Sequence, residues 1–222
     1  MRIYHDNSID HNIICELECA NQHVEFCNIH NLPLGLTNFD KVFNLNYIHS
    51  MKWRFLAIGD SFVDHFMSRD LDSMIIRREF DSVREWLDSD NVGHIMRDNV
   101  WHNVSILGGM WGFKNSEYRR LGREIFKLII DKKIAKKYNK NGKSRKDYDQ
   151  LFLENYFYNR IYNISTIHDS FYCDHYPNSK PFPSKRVGDC FIGRVGFCNE
   201  SNTFRNCPIS CRPKDHLDWS SC

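Results

Sequence analysis

The order of elements predicts an α/β sandwich with a mainly parallel sheet, and three observations carry that prediction. Short apolar runs alternate with longer stretches whose apolar positions recur at helical spacing. The opening segment already has the order strand, helix, strand, the unit that builds parallel sheets. With 222 residues, 41% hydrophobic and 14% aromatic, the chain can bury one sizeable core.

Arg2-Ile3-Tyr4 is a short β-prone run that ends in the turn and cap residues His5 to Ser8. A helix follows over Asn12 to Ala20, and Val24 to Ile29 forms the next strand. Phe43, Tyr47, Met51 and Phe55 lie four apart, which predicts one helix over Phe39 to Leu56, ended by Gly59-Asp60. Phe62 to Met67 has the composition of a buried strand that stops abruptly at Ser68-Arg69-Asp70-Leu71-Asp72-Ser73. Ligands of α/β sheets bind where strands deliver charge at their carboxyl ends. Arg77 to Leu87 is an amphipathic helix with Phe80, Val83, Trp86 and Leu87 as its apolar face.

Gly93 to Arg97 is a strand, and Ser105-Ile106-Leu107 runs into the glycine-rich segment Gly108 to Phe113. Ser116 can cap a helix from Glu117 to Tyr138, carried by Leu121, Ile125, Leu128 and Ile129. Residues 139–144 form an exposed basic loop, Asp149 to Tyr162 an aromatic-rich helix, and Ser165 to Asp169 a strand. Beyond Tyr176 proline, glycine and cysteine become frequent and periodicity fades. The expected organisation is therefore one domain over residues 1–176 and a loop-dominated, cysteine-rich appendage over 177–222.

The net charge of +2 comes from 30 basic and 28 acidic residues, interleaved along the chain. No broad field attracts nucleic acid or anionic membrane, so nucleic acid is not an expected partner. No run of about 18 apolar residues exists and the first residues lack a signal-peptide pattern, so this chain is expected to be soluble by itself. Its nine cysteines cluster at the two ends, which favours disulfides in an oxidising compartment over unpaired thiols or zinc; an odd count leaves at least one over. Three Asn-x-Ser sequons, at Asn103, Asn163 and Asn199, lean toward the same compartment.

The chemistry-bearing segment is Asp70-Leu71-Asp72. Two carboxylates one residue apart at a strand end can hold a hard cation together with phosphate oxygens of a ligand; a solvated turn is the alternative. Arg69 adjoins them as a phosphate partner and Ser73 adds a hydroxyl. Arg97 could meet phosphate and Asp98 orient a sugar hydroxyl, or the two could pair structurally. Gly108-Gly109-Met110-Trp111-Gly112 allows close backbone approach and offers an indole for sugar stacking, unless Trp111 belongs to the core.

Those segments, with Met1 to Asp6, Trp53 to Asp60, Phe66 to Ser73, Arg78-Glu79 with Glu85-Trp86, His94 to Asp98, Ile106 to Phe113, Asp149-Gln150, Ile167 to Ser170 and Arg212 to Trp219, resemble nucleotide-diphospho-sugar transferase-like proteins over nearly the whole chain. The resemblance implies a GT-A-like three-layer α/β/α sandwich and a glycosyltransferase that moves a sugar from a nucleotide-diphosphate donor to a glycan, lipid or protein acceptor. It further implies that Asp70, Asp72 and His168 serve a Mn²⁺ or Mg²⁺ ion. Arg69, Asp70, Ser73, Arg97, Asp98, Gly108, Gly109 and Trp111 would then surround the donor, with Asp149 and Gln150 beside the reacting sugar. His168 could instead be a strand-end histidine bonded to a neighbour, and Asp149 a helix cap. GT-A folds open with a strand and helix ahead of the strand matching Arg2-Ile3-Tyr4. That unit is expected to be missing here, which implies a truncated or inactive form, and the family implies a secretory-pathway location. A non-catalytic carbohydrate-binding domain and a metal-dependent hydrolase are the competing expectations.

Overall fold

The structure is a computed structural model that describes residues 1–33, 42–138, 147–202 and 204–222. The chain divides into two compact units. Unit 1 comprises Met1–Phe66 and Asn115–Phe152, and unit 2 comprises Met67–Lys114 and Leu153–Cys222.

Unit 1 begins with β1 (Arg2–His5), α1 (His11–Ala20) and β2 (Glu25–Asn28). The two strands are parallel with Ile3 opposite Phe26, so the expected strand-helix-strand unit forms. Asp10 starts α1 by accepting the Asn12 amide at 2.8 Å. A short antiparallel pair follows, β3 (Leu32–Pro33) and β4 (Val42–Phe43).

The single helix expected over Phe39 to Leu56 does not form. Residues 39–41 lie outside the described set, Phe43 is in β4, and a ten-residue 3₁₀ helix occupies only Ser50–Gly59. Local side-chain bonding overrides the four-residue spacing. Asn44 Oδ1 accepts the Asn46 amide at 3.2 Å, Ile48 N–H closes a turn on Leu45, and the Tyr47 hydroxyl donates to the Ile130 carbonyl. The 3₁₀ helix packs on α3 (Arg119–Ile129) through Gly59, where any Cβ would lie 2.2 Å from the Phe126 ring. Lys52 is fully buried over the rings of Tyr138 and Phe152, and burial lowers its ammonium to about 8.

The long helix expected from Glu117 to Tyr138 is two helices, α3 and α4 (Lys132–Tyr138). Asp131 breaks it, because its carboxylate accepts the Ile134 amide at 2.8 Å and starts α4. Ser116 is not the cap of α3; Tyr118 holds that position without a side-chain bond. The basic loop expected at 139–144 lies outside the described residues.

The strand expected over Phe62 to Met67 is displaced to β5 (His65–Ser68), with Phe66 and Ser68 buried and Phe62 72% exposed. Asp60 accepts the Phe62 amide while Asn115 and Arg119 donate to the carbonyls of Asp60 and Val63, which holds 60–63 as a turn.

In unit 2 the elements after β5 are α2 (Arg77–Leu87), β6 (Gly93–Arg97) and β7 (Trp111–Lys114). The chain later returns through α5 (Tyr148–Leu153), a π turn (Glu154–Tyr158), α6 (Asn159–Ile161) and a 3₁₀ turn (Tyr162–Ile164) to β8 (Ser165–Asp169) and β9 (Ser179–Lys180). The strand order is β5-β7-β6-β8-β9. β6 pairs with β8 in parallel and with β7 antiparallel, so the sheet is mixed rather than mainly parallel. The reason is the connection: residues 98–110 join β6 to β7 without a crossover helix, and such a link returns the chain antiparallel. Every residue of β6, β7 and β8 is buried.

α2 has the expected span but not the expected face. Arg78, Glu79, Ser82 and Trp86 are buried, whereas Phe80 is 50% exposed and Leu87 41% exposed. Partners for the polar groups offset their desolvation: Asp98 for Arg78, Arg69 for Glu79 and the Arg78 carbonyl for Ser82.

Residues beyond Tyr176 supply interior side chains to unit 2, where Phe182 and Ile192 pack with Met96 and Met110. Three disulfides pin this stretch: Cys173–Cys211, Cys190–Cys198 and Cys207–Cys222. Cys15, Cys19 and Cys27 are unpaired. No helix among the described residues is long and apolar enough to cross a membrane.

Candidate functional site

The acidic pair stands just beyond β5 in unit 2. Ser68 ends the strand by donating its hydroxyl to the Gly108 carbonyl at 2.6 Å, which ties the acidic loop to the glycine segment. Gly109 then packs directly on Asp70: a Cβ at that position would lie 2.3 Å from Asp70 Oδ2, so a side chain there would displace the carboxylate from its present position. Asp72 is exposed, and its carbonyl accepts the Gly196 amide at 3.3 Å. Ser73 forms an isolated antiparallel bridge with Val195, which places residues 193–197 against the loop.

Two polar atoms flanking this pair are buried without a hydrogen-bond partner. Arg69 gives Nε to Glu79 and Nη1 to the Ser68 carbonyl, but its Nη2 is unsatisfied, as is Ser73 Oγ. A buried donor left unmade costs about 1–3 kcal/mol, so a ligand oxygen that reached either atom would recover that free energy. The donor set of two carboxylates is hard and oxygen-only, which suits Mg²⁺ or Mn²⁺ completed by water and phosphate.

His168 stands apart from these carboxylates. It is fully buried in β8, with Nε2 3.0 Å from Glu85 Oε2 and Nδ1 3.0 Å from His94 Nε2. Hydrogen bonding from His168 and Lys180 pulls the Glu85 carboxyl down to about 2 despite its partial burial. As an ion it accepts from His168 Nε2–H, which leaves Nδ1 to accept from His94 Nε2–H and leaves the buried His94 Nδ1 as a lone pair without a partner. Burial lowers the pKa of both histidines, His94 well below the ordinary value, so the chain is neutral between its carboxylate end and Trp86, on which His94 stacks at 5.1 Å. With both nitrogens taken, His168 has no lone pair to give a metal.

Arg97 and Asp98, expected near phosphate and sugar, are both fully buried and charge-paired. Arg97 binds Asp169 at 2.5 Å and lies over the Tyr176 ring. Asp98 accepts from Arg78, Arg186, Ser170 and the Ile192 amide. Burial opposes ionisation of Asp98, but Arg186 and Arg78 outweigh it and keep the carboxyl below its usual range. Trp111 is likewise fully buried, 4.5 Å from the Phe157 ring, in a strand rather than a loop.

Asp149 and Gln150 belong to unit 1. Asp149 is buried in the first turn of α5, accepts the Gln150 amide at 2.9 Å and pairs with Arg54 at 3.4 Å. The helix starts earlier than expected, with Leu151 N–H bonded to the Asp147 carbonyl.

Among the described residues, the set of three metal-capable side chains with donor atoms within 4.8 Å is Asp169, Cys173 and Cys211, not Asp70, Asp72 and His168. The two cysteines are joined in a disulfide, and Asp169 also accepts the Phe171 and Tyr172 amides, so the set is structural in this oxidised state.

Sequence reasoning missed the roles of Glu85, Glu79 and Arg186. The first two were legible in α2 as polar residues at helical spacing with Arg78 and Ser82; Arg186 lies in an irregular stretch with no periodic signal. No family model matches the chain, and no curated protein or solved structure matches it, so its site stands on its own residues.

Proposed function

We propose that unit 2 holds a nucleoside diphosphate sugar through a divalent cation on Asp70 and Asp72, and that the protein is a GT-A-type glycosyltransferase. The observation that supports this reading most is the pair of unsatisfied polar atoms, Arg69 Nη2 and Ser73 Oγ, on either side of the two carboxylates. In the transfer, an acceptor hydroxyl oxygen of a glycan, lipid or protein bonds to the anomeric carbon and releases its proton to solvent. The bond from that carbon to the diphosphate breaks with its electron pair leaving on the phosphate oxygen. A bound Mn²⁺ or Mg²⁺ supplies Lewis-acid stabilisation of that leaving group. Arg69 and Ser73 donate to phosphate oxygens, and Gly109 keeps the space in which Asp70 is oriented. The three disulfides suit the lumenal or extracellular location that goes with this chemistry.

A non-catalytic sugar-binding domain is the second reading, favoured by the interior placement of Arg97, Asp98, Trp111 and His168. Thermal unfolding with UDP- and GDP-sugars, with and without Mn²⁺, separates the two, since a ligand of the native state raises the midpoint. Stabilisation that needs Mn²⁺ and vanishes in Asp72→Ala supports the transferase; metal-independent stabilisation by sugars supports the binding domain. Phosphate release from the donor without an acceptor would indicate a hydrolase.

A further inference from the structure

Unit 2 carries a cavity of about 740 Å³ that the acidic loop does not line. Its walls come from the end of α2, from the segment that begins with β9, and from residues 209–219. The volume is that of a small-molecule site, typically about 300–1,000 Å³. We infer that this cavity binds an anionic saccharide, a pyranose bearing a carboxylate or sulfate.

The wall is fixed before any ligand arrives. Cys207–Cys222 ties the two flanks of the segment together, Cys173–Cys211 anchors it from within, and Pro181, Pro183 and Pro213 stiffen the lining. Arg212 donates from all of its guanidinium nitrogens to the carbonyls of Cys207 and Leu217. Carbonyls hold a guanidinium in place without cancelling its charge, so the cation stays as a fixed source of positive potential. A site organised in this way loses little side-chain entropy on binding.

The charge balance selects the sign of the ligand. Lys180, Arg212 and Lys214 face Glu85 and Asp215, three basic side chains against two acidic. Lys180 is neutralised by Glu85, whose other oxygen is bonded to the buried His168. Asp215 is 3.8 Å from His216. With Asp215 counted as an anion, a net excess of one positive charge is left on Arg212 and Lys214, in a concave surface that concentrates field.

The aromatic groups select its shape. His216 and Trp219 both line the cavity and stack on each other, centroids 4.1 Å apart and 9° from parallel. A pre-stacked pair is a flat, rigid platform for the apolar face of a pyranose, and a neighbouring cation then reads its anionic substituent. A nucleotide diphosphate is poorly matched, because the carboxylates needed to carry its metal are in the acidic loop.

The test uses a heparin-derived tetrasaccharide against cellotetraose, by isothermal titration in salt of about 150 mM, where long-range attraction between exposed charges is screened. EDTA is present, so that the metal-dependent reading cannot contribute. Binding of the acidic tetrasaccharide with at least roughly tenfold preference over the neutral one is expected, as is a loss of about tenfold in both Lys214→Glu and Trp219→Ala. Lys127→Glu, on α3 of unit 1, makes the same charge reversal elsewhere and should bind as the wild type does. Lys214 is exposed, so its variant reports on binding even where Trp219→Ala fails to fold. No binding, equal binding of the neutral sugar, or equal losses in Lys127→Glu and Lys214→Glu would overturn the inference.

Discussion

Replacing Asp98 by asparagine should destabilise this protein far more than neutralising the carboxylate of a surface ion pair does. The Asp98 carboxylate is fully buried and meets two guanidinium groups that are themselves buried, Arg78 with 4% and Arg186 with 0% of its side chain exposed. It also accepts Ser170 Oγ at 2.6 Å and the Ile192 amide at 2.9 Å. Asparagine keeps the shape but leaves two interior cations without a counter-charge and turns one acceptor into a donor facing donors. Breaking a buried ion pair by removing one partner costs about 3–5 kcal/mol. For a chain of this size each kcal/mol moves the midpoint by roughly 2–4 °C, so a fall of about 6–20 °C is expected. Circular dichroism melts at pH 7 measure it. Asp81→Asn is the control, because Arg77 in that pair is 80% exposed and such pairs contribute about 0.2–1 kcal/mol. A fall for Asp98→Asn no larger than that of Asp81→Asn would refute the claim that Asp98 organises the interior of unit 2.

Acid should weaken the fold before any carboxylate is titrated. Burial lowers the pKa of His94 and His168 and takes His102 to about 4. Below about pH 6.5 the unfolded chain binds protons that the folded chain refuses, so stability falls by up to about 1.4 kcal/mol per pH unit for each such histidine. Urea melts at pH 7, 6 and 5 should show this, and a constant midpoint would contradict it. Thiol labelling of the native protein should modify Cys15 and Cys19 quickly and Cys27 slowly, since Cys27 is half-buried and burial raises its thiol to about 11. Cys207→Ser with Cys222→Ser opens a 15-residue link and should cost about 3 kcal/mol in a denaturant melt; unchanged stability would count against that pairing. Gly109→Ala should weaken Mn²⁺-dependent nucleotide binding about tenfold, an effect of about 1.4 kcal/mol, because its Cβ displaces the Asp70 carboxylate.

Much of the fold was legible where periodicity and local bonding agree. Arg77–Leu87 and Ser165–Asp169 fall where their patterns put them, as does the first strand-helix-strand unit. Periodicity misled where a side chain recaptured the backbone: Asn44 and Asp131 each interrupt a run whose apolar spacing continues through them. The direction of β7 was hidden because pattern says where a strand lies but not how its connection returns. In the site, adjacency in sequence placed Arg69, Asp70, Asp72 and Ser73 on one loop. It could not reveal that His168 is occupied by Glu85 and His94, or that Asp98 is claimed by Arg186 from 88 residues away, because those contacts depend on the tertiary fold alone.

The proposed cation site, Asp70 and Asp72 with a nucleoside diphosphate, is open to direct measurement. Electron paramagnetic resonance of Mn²⁺ titrated into the protein tests it directly, alone and with UDP or GDP. The signal of free Mn²⁺ should disappear more strongly when a diphosphate is present, and should persist in Asp72→Ala. Equal retention of Mn²⁺ by wild type and Asp72→Ala, with or without nucleotide, would contradict it.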